Sequence, residues 1–383
     1  MRRICLALGV LLAAFVAAAP ASAADRFDVL QTTINGPLQP VRGSDGRQHL
    51  VYQLRLHNVS TQVGVVVDSV TIRDARTRRP VQTLDGATLL ASMSLGDGFN
   101  PEPTTTLGPG QSGVVYLAPT FASLRAVPAR IQHVVTVSPA PGSDAALFDL
   151  RFGRVVVGPP ARVDHRLPLS IASPLRGSGY IAYNGCCASP GHVKTILTVG
   201  GVSRSAERFA IDWLQAEPDG RIDRGDGTRN EDYFIYGDPI HAVADGRVVV
   251  ATDGQPDTPA LQRTEGTVTP GTAAGNHVIQ TLPRGLYGMY AHIKPGSLRV
   301  KPGQRVRKGQ VIGLVGSSGN SDAPHLHFQV TDAPSPLGAN PAPYVFPRFT
   351  LQGHVADDTV AWLPTPSPRR GELPLDQSVV RLP

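Results

Sequence analysis

The stretch Pro324-His325-Leu326-His327-Phe328 decides how the second half of this chain is read. It has the composition of a strand. Side chains alternate faces along a strand, so His325 and His327 point the same way. Two neutral imidazoles on one face are the beginning of a metal site, because imidazole is the commonest protein ligand for zinc. A lone pair of this kind is more often structural or solvated, so its meaning depends on what else converges on it.

Working outward, Arg208-Phe209-Ala210-Ile211-Asp212-Trp213 reads as a buried strand with one carboxylate in an apolar run. A buried carboxylate is costly unless it is paired or bound to a metal. Gly237-Asp238-Pro239-Ile240 is a turn that feeds the strand Ala242 to Val250. Tyr290-Ala291-His292-Ile293 places another histidine at the end of a short strand. Gly309-Gln310-Val311-Ile312-Gly313 and Gly316-Ser317-Ser318-Gly319-Asn320-Ser321 then lead into the paired histidines.

In this order the motifs resemble the lysostaphin-type, or LytM-like, zinc endopeptidases of bacterial peptidoglycan. The resemblance covers about Gly177 to Asp332. It implies a compact antiparallel β fold with its site in a groove. It also implies that Asp212 and His327 bind Zn2+, while His325 and His292 act on water and on the transition state. One position departs from the pattern. The family's usual motif has a histidine four residues before the aspartate, and here that residue is Arg208. A guanidinium has no lone pair to give and stays charged, so Arg208 is no ligand. Two protein ligands fall short of the three that a catalytic zinc normally has.

His192 is the candidate for the third. His192 to Val199 and Val202 to Asp212 read as strands around the turn signal Gly200-Gly201. A two-residue turn sets Val199 opposite Val202 and His192 opposite Phe209, on the wrong face for Asp212. A longer loop or a bulge would move His192 onto the right face. The sequence Asn184-Gly185-Cys186-Cys187, then His192, then the Arg208 to Trp213 segment, also looks like a variant branch of the family with its first ligand histidine displaced. The alternative is a surface histidine, with zinc absent or held by Cys186 or Cys187. Those adjacent cysteines could equally form a strained disulfide or pack as thiols. His241 and His277 read as strand-surface or loop residues. The acidic run Asp219, Asp223, Asp226, Glu231 and Asp232 lacks EF-hand spacing and reads as a solvated insertion.

The chain has 383 residues, enough for two cores. Hydrophobic content is 41% and charged content 17%, ordinary for a globular protein. The 40 glycines and 35 prolines, with almost no long helical pattern, indicate an all-β chain rich in turns. Residues 1–23 have the make-up of a secretory signal, with Arg2 and Arg3, an apolar run from Leu6 to Ala19, and Ala21-Ser22-Ala23. Export to the periplasm or medium is expected, with no membrane-spanning segment in the mature chain. Removing the signal takes two arginines from a net charge of +6, leaving about +4. That suits a cell wall or any mildly anionic neighbour, and nothing points to nucleic acid.

Residues 24–157 are expected to form an immunoglobulin-like β-sandwich, its strand candidates being Tyr52 to His57, Val65 to Ile72, Leu89 to Met93, Val114 to Leu117 and His133 to Val137. His49, His57 and His133 are scattered there and read as structural or solvated. Residues 158–169 read as a proline-rich linker, 170–348 as the LytM-like peptidase domain, and 349–383 as a proline-rich, charged tail on the surface or partly disordered. The resemblance implies a zinc endopeptidase cutting peptidoglycan cross-links or stems. The competing reading is a catalytically degenerate binding module that holds peptidoglycan or activates a wall amidase. A peptidase acting on a glycine-rich protein outside the wall is a third.

Overall fold

The computed structural model describes residues 27–96, 101–187, 191–262, 264 and 268–383. The expected export signal, residues 1–23, lies outside them. The described chain is mostly β, with a few short helices, and nearly all its strand pairs are antiparallel.

Among the described residues, the N-terminal half holds two larger antiparallel sheets and a small one formed by Val41–Arg42, Gln48–His49 and Thr120–Phe121. One of the larger sheets has the order β1 (Leu30–Asn35), β2 (Tyr52–Asn58), β6 (Ser112–Leu117), β5 (Met93–Leu95). The other has the order β8 (Val155–Val157), β7 (Arg130–Pro139), β3 (Val65–Asp74), β4 (Pro80–Asp85). Alternation decides the packing. Tyr52, Leu54 and Leu56 of β2 meet Ile131, Val135 and Val137 of β7 in one core. The intervening residues of β2, Gln53 and Arg55, point away from that core. The stretch read as a strand from Leu89 to Met93 is mainly the helix Gly86–Ser92, with the strand beginning at Met93.

The second half is built on a ten-stranded sheet. Its order is β14 (Arg305–Val306), β11 (Gly246–Thr252), β12 (His277–Thr281), β13 (Tyr287–Ala291), β15 (Leu326–Thr331), β10 (Ile211–Gln215), β9 (Gly177–Tyr183), β18 (Ser378–Leu382), β16 (Phe349–Ala356), β17 (Thr359–Arg369). β15 sits near the middle and is buried along its whole length. Trp213, Phe328, Tyr290, Tyr344 and Phe346 fill the core beneath it.

Two regions differ from the sequence reading. Residues 349–383 are no surface tail. β18 pairs with β9, and β16 and β17 continue the sheet. Pro364, Pro366 and Pro368 fall on β17, the edge strand, where a missing N–H costs no ladder bond. The linker is also shorter than residues 158–169. Ala161–Arg162 pairs with β7, and Leu169–Ser170 pairs with Tyr344–Val345.

Candidate metal centre

Strand register builds one half of the site. Asp212 of β10 lies directly opposite His327 of β15, Tyr183 of β9 opposite Asp212, and Ala291 of β13 opposite His327. Directly opposed residues are within side-chain reach. Asp212 Oδ1 is accordingly 2.9 Å from His327 Nδ1. His325 enters β15 on the same face, and its Nε2 is 3.7 Å from Asp212 Oδ1. His292 follows β13 immediately with a left-handed φ of 61°, a strained conformation that turns its ring towards His325 at a centroid distance of 4.5 Å.

His192 arrives by another route. The hairpin has the two-residue turn, with Val199 opposite Val202, but its strands are only Leu197–Val199 and Val202–Arg204. His192 is not on a strand. It sits on the one-turn helix Gly191–Lys194, and its Nε2 lies 3.2 Å from Asp212 Oδ2. The ligand atoms of His192, Asp212 and His327 all lie within 4.8 Å of one another. Cys186 and Cys187 are joined to each other in a buried disulfide, so neither offers a thiolate. His241 bonds the Gly309 carbonyl and His277 the Gly275 carbonyl, and neither belongs to this group. Arg208 is fully buried and points into the N-terminal domain.

Hydrogen bonding fixes which ring atoms face the centre. Gln329 Nε2 donates to the Pro336 carbonyl at 2.9 Å, so its Oε1 is the end that meets His327 Nε2 at 3.0 Å. That oxygen accepts from Nε2–H, which leaves Nδ1 with the lone pair in the neutral ring. A lone pair and a carboxylate oxygen 2.9 Å apart are both acceptors, and only a cation between them, a proton or a metal, holds them there. His192 Nε2 faces the other carboxylate oxygen. Two imidazole nitrogens and a carboxylate suit Zn2+, leaving a coordination position open. Asn184 Nδ2, 2.9 Å from Asp212 Oδ2, steadies the carboxylate.

His325 Nδ1 donates to the Ala323 carbonyl at 2.7 Å, and His292 Nδ1 to the Ser318 carbonyl at 2.7 Å. Each therefore presents Nε2 as an acceptor. Burial opposes ionisation of Asp212, but His192 and His325 hold its pKa well below the usual carboxylate range. Burial pushes His192 down, and the Asp212 carboxylate more than reverses this, raising it to about 9 in the metal-free protein. Burial, then the neighbouring His325 and His327, keep His292 well below the ordinary histidine value and so neutral.

Gln329 and Asn184 are the residues that sequence reasoning missed. Gln329 was visible in principle, because it continues the alternation His325, His327, Gln329 on one strand face. Asn184 stood in the segment quoted for the variant branch but was given no role, since its contact depends on a turn with φ of 52°.

Adjoining strands thus bring a carboxylate and three histidines together, with a fourth histidine from a flanking helix, and three of these residues form a group that could hold a metal ion. Residues 231–338 match the model of Peptidase family M23. The matched segment contains His292, His325 and His327, whereas His192 and Asp212 precede it. Over 100 residues the chain is 36% identical to glycyl-glycine endopeptidase ALE-1 of Staphylococcus capitis, covering 26% of this chain and 23% of that protein. It is 32% identical over 103 residues to peptidoglycan DD-endopeptidase ShyA of Vibrio cholerae, covering 27% and 20%. Cell division protein DipM of Caulobacter vibrioides is 30% identical over 115 residues, covering 29% and 16%. The chain thus spans about a fifth of the length of these relatives. Among solved structures, lysostaphin from Staphylococcus simulans aligns at 25% identity and a TM-score of 0.23, covering 34% of this chain and 40% of that one.

Proposed function

We propose that this protein is an exported zinc endopeptidase that hydrolyses peptide bonds in peptidoglycan cross-links or stems. The observation that carries the proposal is the facing pair of acceptors, His327 Nδ1 and Asp212 Oδ1, with His192 completing three ligands. Export rests on residues 1–23, and no helix among the described residues is long and apolar enough to cross a membrane. The wall substrate rests on the relatives, two of which are named as peptidases of glycyl or peptidoglycan bonds.

His192, Asp212 and His327 would hold the ion. Zinc bound there would supply Lewis acidity to the scissile carbonyl and make water acidic near neutral pH. His325 Nε2 takes a proton from water as the water oxygen attacks the carbonyl carbon. It returns that proton to the leaving amine nitrogen as the C–N bond breaks. His325 Nε2 lies 3.7 Å from Asp212 Oδ1. His292 is the acceptor that orients the water. Oxyanion stabilisation would need a proton on its Nε2, which its buried, histidine-lined surroundings resist.

Arg208, standing where a family ligand would be, favours the competing reading of a degenerate module that binds peptidoglycan or stimulates a wall amidase. The deciding experiment measures zinc content and then fragment release from purified sacculi. Zinc at about one per chain with released peptides supports the peptidase. Zinc-free protein that binds sacculi without cutting them supports the module.

A further inference from the structure

The segment that carries His192 has little of its own to hold it in place. A one-turn helix is far below the length at which a helix sustains itself. Its terminal carbonyls need partners, and the N-terminal domain supplies them. Gln53 Nε2 donates to the Val193 carbonyl at 2.8 Å and to Ser205 Oγ at 3.2 Å. Tyr116 Oη donates to the Lys194 carbonyl at 3.0 Å. Ile196 packs with Val114 and Tyr116, and Arg55 reaches Ser203 Oγ at 3.1 Å. All these partners lie on the outer face of β2 and β6, where Gln53 and Tyr116 are directly paired.

The same Gln53 also holds the approach to Asp212. Its Oε1 accepts from Arg208 Nη2, four residues before the aspartate. The Arg208 guanidinium is otherwise bound to backbone carbonyls of the N-terminal domain, Asn35 at 2.8 Å and Val51 and Pro37 at 3.4 Å. Gly36, with φ of 80°, makes room for it, since a Cβ there would come within 2.9 Å of Nη2. Gln53 and Arg208 are both fully buried. One side chain of the first domain thus ties together the two segments that deliver His192 and Asp212.

We infer that the N-terminal β domain is a structural part of the metal centre, and that Gln53 is a positioning residue that holds His192 as the third ligand while Arg208 anchors the Asp212 segment. Arg208 is then a gain as well as a loss: it cannot bind metal, and it replaces a ligand with a clamp to the domain that secures the substitute ligand. This inference rests on the zinc-site reading above.

The test uses the full-length apo protein with Zn2+ affinity measured by chelator competition and Co2+ absorption as a reporter of coordination. Gln53→Glu keeps an acceptor for Arg208 but loses the donor to the Val193 carbonyl. We expect its Zn2+ affinity to fall about tenfold or more, the range seen when outer-shell partners of a metal site are removed. Its Co2+ visible band should weaken towards that of His192→Ala. In the His192→Ala background, Gln53→Glu should have no further effect on affinity, because Gln53 acts through that ligand. Should Gln53→Glu fail to fold, Tyr116→Phe removes only hydroxyl contacts, and a fewfold loss of affinity with an unchanged fold by circular dichroism makes the same point. Equal losses with and without His192 would overturn the inference, as would wild-type affinity in both single variants. A wild-type protein that takes up no zinc removes the metal centre itself, and the inference with it.

Discussion

The N-terminal domain buries His133 against a single partner, Tyr52 Oη at 2.8 Å, inside an apolar core. The C-terminal domain brings His192, His325 and His327 to one carboxylate, with the His292 ring packed against His325 and His327. Burial is common to both regions, so burial does not mark the site. Convergence does: several ring nitrogens, their tautomers fixed from behind by Ala323, Ser318 and Gln329, present lone pairs to one point. An isolated core histidine is a packing residue with a polar edge. Three groups around one point, His192, Asp212 and His327, could hold a metal ion.

The sharpest way to break this contrast is Asp212→Ala. It removes the carboxylate that His192, His325 and His327 share. Zinc content by atomic absorption should drop to background and hydrolysis of sacculi should cease, while the sheet stays folded, because the backbone pairing of β10 remains. Retained zinc would show that the histidines suffice and that the carboxylate is not a ligand. Next in size is His325→Ala. A missing general base typically costs about 10²–10⁴-fold in rate. Zinc should remain near one per chain, since His325 lies outside the three-ligand group. Loss of metal in this variant would move His325 into the ligand set.

Gln329→Leu is milder. It leaves every ligand in place and frees the His327 ring to take either tautomer. We expect zinc affinity to fall about 10–100-fold, with activity largely recovered at saturating zinc. Unchanged affinity would mean that the Pro336–Gln329–His327 chain plays no part in setting the ring.

The same contrast explains what the sequence made legible. Asp212 and His327 were named together through the resemblance; alternation showed only that His325 and His327 share a face, and the register that sets Asp212 opposite His327 is a long-range pairing. The turn at Gly200-Gly201 was readable, and Val199 does face Val202. His192 was named more through the resemblance than through the hairpin, whose two-residue turn put it on the wrong face. Its position depends on Gln53 and Tyr116, well over a hundred residues away for Gln53, and no local period encodes that contact. The last three strands were misread for a different reason. Pro364, Pro366 and Pro368 forbid a central strand, and composition alone does not distinguish an edge strand from a loose tail.

The smallest effect belongs to the solitary histidine, and it should appear in stability and leave metal binding untouched. Burial lowers His133 from the ordinary 6.5 to about 4 in the folded protein. Above pH 6.5 the ring is neutral whether the chain is folded or not, so its environment carries no titration penalty. As pH falls from about 6.5 towards 4, the unfolded chain binds a proton that the folded core refuses, and stability drains away across that window. The shift corresponds to about 3 kcal/mol once pH is below both values. Urea unfolding followed through the N-terminal domain should therefore show a midpoint that drops between pH 7 and pH 4.5. His133→Gln, which can still meet the Tyr52 hydroxyl but cannot titrate, should flatten that dependence while leaving zinc affinity at pH 7 unchanged. An unaltered pH slope in the variant would assign the acid sensitivity to other groups. A loss of zinc affinity at pH 7 would mean that the core around His133 reaches, through β2 and Gln53, as far as His192.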